Sequence, residues 1–389
     1  MDLIDFLAPV ELEKPPVYQQ PDDSSMSRTI TIHTPDHPVK TLDGFDLAII
    51  GIPEDRNSYN TGSSGAPDKI REYLYRLRGF NNQLKIIDLG NLKPGNQIND
   101  TYHGAIEVFR MLYKMRIPVL VLGGTQDLTL SSCMAWKKEN TSYKLTCIDR
   151  KIDYLHVAEA SASDNFLVNV FNEQKNIQPL DFACLGYQSY FVNHEVLDIF
   201  RNKNFILKRL GLARSNLPLL EPELRDSHIV SIDISSVKQA DAPGFYNPSP
   251  NGFYGEEICQ MARYAGLGEK VSCFGIFEVN PEYDNNHQTS HLAAQISWYF
   301  IDGLANRAGE APETGEHAFK KFIVANSKLE QQVIFYKSTK TNRWWMSVPS
   351  DPKKSQKDHI IISCSALDYE VACNDDIPDR WLDAFHRFN

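Results

Sequence analysis

Acidic side chains follow three of the short apolar runs in this 389-residue chain, at the points where strands would end. Asp149 and Asp153 follow one run, Asp233 follows a second, and Glu278 follows a third. In an open parallel sheet, ligands bind beyond the carboxyl ends of the strands. A single Asp in such a place more often caps a helix. As a set, however, these carboxylates predict a site for a hard cation, which prefers oxygen ligands.

The runs themselves predict the elements that would bring these acids together. Most are continuous rather than alternating, which is typical of strands buried on both faces. They are Phe45–Gly51, Leu84–Leu89, Val119–Gly123, Leu145–Asp149, Phe182–Gly186, Ile229–Ile234 and Val271–Val279. Helical patterns lie between them, at Ala66–Arg78, Ile98–Met115, Leu128–Glu139, Asn193–Asn202, Gly255–Gly266 and Gln288–Ala305. This alternation predicts an α/β fold with a doubly wound, mostly parallel sheet.

Composition shifts divide the chain into three parts. Residues 1–43 are predicted to form an irregular N-terminal arm, residues 44–308 an α/β domain, and residues 316–389 a C-terminal β-rich extension that ends in a helix. The extension contains Trp344, Trp345 and Met346 beside Phe335 and Tyr336. Such aromatic residues anchor protein interfaces, and they equally form the core of a small domain.

Composition and charge exclude several classes of protein. The chain has 42% hydrophobic and 23% charged residues, which is ordinary for a globular protein and excludes disorder throughout. A net charge of −10 argues against nucleic acid as the main partner. We expect no membrane insertion, because no run approaches the roughly 18 apolar residues of a membrane helix. The acidic start does not resemble a signal peptide, so we expect a cytoplasmic location. Seven cysteines without a CxxC pair are interpreted as buried, reduced thiols.

The motifs after the strands resemble those of a known enzyme superfamily. The chain contains GGTQD, DRKID, SIDIS followed by DAPG, and EVNP, beginning at residues 123, 149, 231, 241 and 278. In this order they are similar to GGDHS, DAHxD, SxDxD with APG, and ExNP of the ureohydrolases: arginases, agmatinases and especially formimidoylglutamases. GIPED at 51–55, NTGSSGAP at 60–67, SASDNF at 161–166 and LGYQ at 185–188 are similar as well. The resemblance covers about residues 45–305, and it implies a three-layer arginase-like fold with an eight-stranded sheet.

The resemblance also implies a metal centre, in which two histidines and four aspartates hold two manganese ions. Asp149, Asp153 and Asp233 match three of these ligands. The other three positions differ. Gln126 and Lys151 stand where the family has histidines, and Ser235 stands where it has an aspartate. Glu278 matches the family residue that grips the guanidinium or formimino group, so a substrate-binding role is implied for it.

These replacements predict the loss of the two-ion centre. Asp149, Asp153 and Asp233 would hold at most one ion, with the amide oxygen of Gln126 as a further ligand. Protonated Lys151 has no lone pair, so we expect its ammonium in the place of the second ion, within about 4 Å of Asp149 or Asp233. We expect no cofactor; the alternative is one divalent cation, Mn, Mg or Ca. No catalytic residue is assigned.

The predicted loss of the two-ion centre leaves three interpretations of the function. The first is a degenerate ureohydrolase, a pseudoenzyme that binds or scaffolds, because hydrolysis needs a hydroxide activated by two ions. The alternative is an active C–N hydrolase of a formimino or guanidino compound with an altered or single-metal site, for which Glu278 is the main support. A weaker third reading is a metal-free binder of a small cationic ligand. We expect a protein partner or self-association; the family resemblance implies trimers or hexamers, which the arm and the extension would obstruct.

Overall fold

A large sheet organises most of the chain. The computed structural model describes residues 3–11, 22–80, 84–140, 142–155, 162–172, 178–312, 318–329, 331–349 and 359–388. The strands of the large sheet are β1 (Leu7–Ala8), β2 (Thr31–Ile32), β3 (Leu47–Ile52), β4 (Ile86–Leu92), β5 (Val119–Gly123), β6 (Lys144–Ile148), β7 (Asp181–Tyr187), β8 (Ile206–Arg209), β9 (Ile229–Asp233) and β10 (Cys273–Phe277). They lie in the order β1-β4-β3-β5-β10-β9-β6-β7-β8, with β2 also beside β4.

The eight strands from β4 to β8 in this order are all parallel, which confirms the predicted doubly wound sheet. All residues of β3 and β5 are buried, as continuous apolar runs require. The segment before residue 44 adds β1, which is antiparallel to β4, and the parallel β2. Strand β8 was not predicted, because Ile206 is its one buried residue and the apolar pattern of the strand is correspondingly weak.

The α-helices up to residue 305 cover both faces of the large sheet, and the last two pack with the C-terminal part. The helices are α1 (Met26–Thr29), α2 (Ala66–Leu74), α3 (Ile98–Lys114), α4 (Thr129–Glu139), α5 (Phe166–Val170), α6 (His194–Asn202), α7 (Leu210–Ser215), α8 (Glu221–Arg225), α9 (Gly255–Gly266), α10 (Gln288–Ala305), α11 (Ala366–Cys373) and α12 (Asp379–Phe388). Leu120 and Leu122 of β5 pack into one core with α2, α9 and α10. Val119 and Val121 point to the other face and pack with α3, α4 and α6. Two cores separated by one sheet make a three-layer fold.

The C-terminal part forms a second sheet with a core of its own. Its antiparallel strands are β11 (Phe319–Asn326), β12 (Gln331–Ser338), β13 (Trp344–Pro349) and β14 (His359–Cys364). Phe335, Trp344 and Met346 pack with Trp381 of α12 in this core. Of the two interpretations of the aromatic residues, the structure favours the internal core. Trp345 is also buried, with the guanidinium of Arg225 lying 4.3 Å from its ring centroid.

Buried ion pairs fix the extension to one edge of the large sheet. Asp181 is the first residue of β7, and its carboxylate lies 2.7 Å from Arg387 of α12 and 3.2 Å from Lys144, the first residue of β6. Arg380 of α12 pairs with Glu223 of α8. These contacts lie where the strands begin. The extension therefore packs against the amino edge of the sheet, opposite the carboxyl edge.

The cysteines and helices complete this description. All seven cysteines are free; six are buried, as predicted, and Cys373 is exposed. In the part of the chain that the structure describes, none of the helices has the length and apolar content needed to cross a bilayer.

We predict that Arg387→Met lowers the free energy of unfolding by about 1–3 kcal/mol, because it removes one cation from a buried carboxylate that retains only Lys144. The matched control is Arg201→Met, since Arg201 pairs with Asp198 on the surface at 3.6 Å. That change should cost less than about 0.5 kcal/mol. Urea unfolding of the three proteins measures both values. Equal losses in the two variants would contradict a stabilising role for the ion network.

Candidate metal centre

Four neighbouring strands bring the candidate residues together. In the order β5-β10-β9-β6, the carboxyl ends of these strands lie side by side. Gln126 follows β5, Glu278 follows β10, Asp233 ends β9, and Asp149 follows β6. Residues separated by more than a hundred positions in the chain therefore share one cleft, as expected for the carboxyl edge of a doubly wound sheet.

Three carboxylates form the centre of this cleft. One oxygen from each of Asp149, Asp153 and Asp233 lies within 4.8 Å of the others, and all three residues are buried. Burial, together with the charges of Asp153 and Asp233, raises the pKa of Asp149 well above its usual value. Burial also raises the pKa values of Asp233 and of Asp153, the latter to about 6. The raised pKa values favour protonation, so the protein compensates the charge of the fully ionised cluster only in part.

The side chain of Gln126 reaches this cluster from β5. With its amide nitrogen facing the acids, Gln126 donates to Asp149 Oδ2 at 3.1 Å and to Asp153 Oδ2 at 3.0 Å, while its oxygen accepts from Ser231. With the amide turned over, its oxygen would face the same place. Gln126 can thus act as a hydrogen-bond donor to the acids or as a neutral oxygen ligand for a cation among them.

Close backbone packing explains the glycines before Gln126. A Cβ atom on Gly124 would lie 2.0 Å from the carbonyl oxygen of Glu54. Because the backbones lie this close, the N–H of Gly124 donates to the carbonyl oxygen of Ile52 at 2.9 Å. The carbonyl oxygen of Gly124 accepts from the N–H of Glu278 at 2.7 Å. The turn that aims Gln126 into the cleft therefore requires glycine.

Lys151 enters the cleft, but its partners differ from those predicted. Its ammonium lies 3.7 Å from Asp153 Oδ1 and pairs with Asp164, whereas the prediction named Asp149 or Asp233. The reason is local. The backbone N–H of Lys151 donates to Asp149 Oδ1 at 2.8 Å, which leaves the side chain directed towards the segment that carries Asp164. Burial alone would lower the pKa of Lys151, but the neighbouring carboxylates raise it, so the lysine stays charged.

Ser235 lies beside Asp233 and offers little to a metal. Its N–H donates to Asp233 Oδ1 at 2.7 Å, in the turn that follows β9. Its hydroxyl is buried and has no hydrogen-bond partner among the described residues. A neutral hydroxyl is a weaker ligand for a hard cation than the carboxylate that the family resemblance implies at this position.

Glu278 occupies the other end of the cleft and is surrounded by donors. Its Oε1 accepts from the N–H of Gln126 at 2.9 Å and from the hydroxyl of Ser163, and its Oε2 accepts from Asn60 at 2.9 Å. Burial and the charge of Asp233 raise its pKa to about 8, although these hydrogen bonds act in the opposite direction. Its φ of 67° is unusual for a non-glycine residue. Such backbone angles occur mainly at positions under functional or packing constraint. Its role as the substrate-binding residue stays a prediction.

Three residues at the site received no role in the sequence analysis. Asn60 and Ser163 hold Glu278, and Asp164 pairs with Lys151. Asn60 lies in the NTGSSGAP segment, and the other two lie in SASDNF, whose first residue, Ser161, is outside the described residues. Both segments were recognised as similar to the ureohydrolases. Nothing in their spacing indicated which side chains would reach the cleft, because both belong to loops.

The donor set fits one cation rather than two. Asp149, Asp153 and Asp233 offer three carboxylate oxygens to one point, and Gln126 lies against two of them. Beyond Asp153 the charged group is the ammonium of Lys151, which has no lone pair to offer. The residues present therefore fit a single divalent ion, and they do not supply the second half of a two-ion centre.

Comparisons with known proteins support this description of the fold. The model of the Arginase family matches residues 45–302. Formimidoylglutamase from Staphylococcus haemolyticus is 23% identical over 273 residues, which cover 67% of this chain and 86% of that protein. Proclavaminate amidinohydrolase from Streptomyces clavuligerus is 25% identical over 273 residues, covering 65% and 86%. Trypanosoma cruzi formiminoglutamase with Mn2+2 superposes with a TM-score of 0.66 at 19% identity, covering 74% of this chain and 100% of that one. Formimidoylglutamase from Bacillus subtilis gives a TM-score of 0.64 at 20% identity, covering 78% and 98%.

The match to the Arginase family model, together with the parallel eight-stranded sheet, identifies a protein of the ureohydrolase superfamily. The chain belongs to the arginase family, and it is similar to the formimidoylglutamases within it. The resemblance read from the sequence motifs is thereby confirmed.

The comparisons overturn the prediction that no cofactor is expected. Formiminoglutamase structures that match this chain contain Mn2+2, and the family resemblance implies the same metal. The prediction gave too much weight to the missing imidazoles. The three remaining carboxylates are themselves ligands of hard divalent ions, and their buried charge favours such an ion.

We predict that Lys151→Met lowers the free energy of unfolding by about 1–3 kcal/mol, because Asp153 and Asp164 lose their shared cation. Adding Asp164→Asn should recover part of the loss, and so should Mn2+, which would supply positive charge to the cluster. Lys203→Met, at an exposed lysine after α6, is the control. Thermal melts with and without Mn2+ measure these effects. If Lys151→Met melts like the parent, Lys151 does not compensate the acids.

Proposed function

We propose that this arginase-family chain is a non-hydrolytic, formimidoylglutamase-like binding protein that holds one divalent metal ion, with manganese the first candidate. Asp149, Asp153 and Asp233 would hold the ion, with Gln126 as a neutral ligand. The observation that carries the proposal is the position of Lys151, whose ammonium lies beside Asp153 and pairs with Asp164. A fixed positive charge in this place disfavours a second cation nearby.

The number of bound metal ions determines how strongly a water molecule can be activated for hydrolysis. Hydrolysis of this type uses an activated water, and two Lewis acids lower the pKa of water far more than one hard ion with oxygen ligands does. Lys151 cannot act as the general base for that water, because the carboxylates around it raise its pKa and keep it protonated. The residues of this chain therefore support binding better than turnover.

The hydrogen bonds of Glu278 support the same conclusion. Gln126, Ser163 and Asn60 donate to its two oxygens, so much of its accepting capacity is already used. These bonds join the loops after β3, β5 and β6 to the end of β10. Glu278 thereby fixes the shape of the cleft, whatever ligand the cleft receives.

Metal content tests the proposal directly. After loading with Mn2+ and desalting, elemental analysis should give about one manganese ion per chain. Asp149→Asn and Asp233→Asn should each reduce this value strongly, because each removes one of three charged ligands. Asp198→Asn is the control, since Asp198 is exposed on α6. Two tightly bound ions in the parent chain, or none at saturating Mn2+, would contradict the proposal.

A variant that gains two metal ligands tests whether Lys151 limits the number of bound ions. The double change Lys151→His and Ser235→Asp removes the ammonium and supplies the two ligand types that the family resemblance implies. We expect the manganese content to rise from about one to about two ions per chain. Lys203→His with Ser215→Asp, at two exposed positions outside the cleft, is the matched control. An unchanged content in the cleft variant would show that Lys151 does not decide the number of ions.

The second candidate is an active C–N hydrolase, and the buried, positioned carboxylate of Glu278 favours it. The two candidates differ in turnover. With manganese present, we expect no release of formamide from formiminoglutamate, or of urea from arginine or agmatine, above the uncatalysed background. Turnover at roughly 1–1000 per second, the usual range of enzymes, would replace the first proposal by the second.

The proposal includes a cytoplasmic location and a protein partner or self-association. A binding role requires something to bind, and a net charge of −10 disfavours nucleic acid. Size-exclusion chromatography with light scattering would show whether the chain self-associates.

A further inference from the structure

A second cavity opens at the carboxyl edge, beyond β7 and β8. Its volume is 520 Å³, which lies within the range of small-molecule sites. Arg209, Arg214 and Lys238 line it, together with tyrosines and small polar side chains. None of the described lining residues is acidic, and none belongs to the carboxylate cluster.

The charges around this cavity favour an anion. Lys238 Nζ lies 3.6 Å from the ring centroid of Tyr254, and the guanidinium of Arg214 lies 4.3 Å from the same centroid. Two cations gathered at one ring repel each other. Glu257 pairs with Arg214 at 3.0 Å and Asp241 pairs with Lys238 at 3.5 Å, which compensates two of the three positive charges.

The third cation is uncompensated. Arg209 is exposed at the end of β8, and in the described part of the chain it forms neither an ion pair nor a side-chain hydrogen bond. Its guanidinium remains available for the bidentate contact that arginine makes with phosphate or carboxylate.

An aromatic platform faces the same cavity. The ring of Tyr190 is 65% exposed, although its hydroxyl donates to Gln188 Oε1. Gln188 is buried, and its Nε2 donates to the carbonyl of Asn251 at 3.1 Å. The hydroxyl is thus anchored while the ring lies open. A fixed, exposed tyrosine ring suits stacking against a planar ring of a ligand.

We propose that this cavity binds a small molecule that carries both a phosphate group and a planar ring, and that the ligand is a nucleoside diphosphate. Arg209, Arg214 and Lys238 would contact the phosphates, and Tyr190 would stack on the base. A free phosphate would leave most of the 520 Å³ unfilled. The inference is independent of the proposed function, because it uses no residue of the metal centre.

One hydrogen bond joins the cavity to the metal centre. The N–H of Gln188 donates to the carbonyl of Arg150 at 2.8 Å, and Arg150 lies between Asp149 and Lys151 in the chain. A nucleotide could also bind through a metal ion held by the carboxylates. The binding experiment must therefore exclude metal.

The test is isothermal titration calorimetry of ADP into the full-length protein, with EDTA present throughout. We expect ADP to bind with a Kd below about 1 mM. Arg209→Ala should weaken binding at least about tenfold, since it removes a charge-assisted contact. Arg201→Ala, at an exposed arginine of α6 outside the cavity, should leave the Kd unchanged.

Two further titrations separate the parts of the ligand. Tyr190→Ala should weaken ADP about tenfold and leave pyrophosphate unaffected, because only ADP has a ring to stack. If pyrophosphate binds the parent as tightly as ADP, the site binds anions without a base, and the nucleotide assignment is wrong. If adenosine binds as tightly as ADP, the phosphate assignment is wrong. If neither ADP, UDP nor pyrophosphate binds at 1 mM, the whole inference fails.

Discussion

Repulsion among three buried carboxylates is the constraint on which the candidate site depends. Asp149, Asp153 and Asp233 meet because adjacent parallel strands end at the same edge of the sheet. Such charges are costly away from water unless other groups compensate them. Lys151 and Arg150 supply positive charge, and both act to lower the pKa of Asp233 against the effect of burial. The fold thus gathers three carboxyl groups whose ionised forms need positive charge nearby.

The groups that compensate the buried carboxylates differ between the two ends of the cleft. Around Glu278, backbone and side-chain donors from three loops hold the carboxyl group and oppose the rise of its pKa. Around Asp149 and Asp153, the protein offers only the Gln126 amide, the Lys151 backbone N–H and one ammonium. Hydrogen bonds from three loops therefore hold the first end, whereas the second depends mainly on the charge of Lys151. This difference favours a binding site whose charge is set by its occupant.

Charged residues at the amino edge of the large sheet form ion pairs within the protein, whereas those at the carboxyl edge line the candidate binding sites. At the amino edge, Asp181 and Glu223 form buried ion pairs with Lys144 and with the arginines of α12, and these pairs hold the C-terminal sheet in place. At the carboxyl edge, an acidic cluster lies at the ends of β6 and β9, and a basic cavity lies at the ends of β7 and β8. The acidic one surrounds Asp233, and the basic one contains Arg209. The extension packs at the opposite edge of the sheet, away from both sites.

The sequence by itself determined the layered architecture, because continuous apolar runs bury both faces of a strand and helical periodicity buries one face of a helix. It placed β5 at Val119–Gly123 and α10 at Gln288–Ala305 within their observed bounds. It also identified the acids of the cleft, since their motifs follow strands whose ends are fixed by topology. Only the tertiary structure decided the partners of Lys151 and Glu278. Asp164, Ser163 and Asn60 reach them from loops, and loop side chains are positioned by long-range packing that leaves no periodic signal in the sequence.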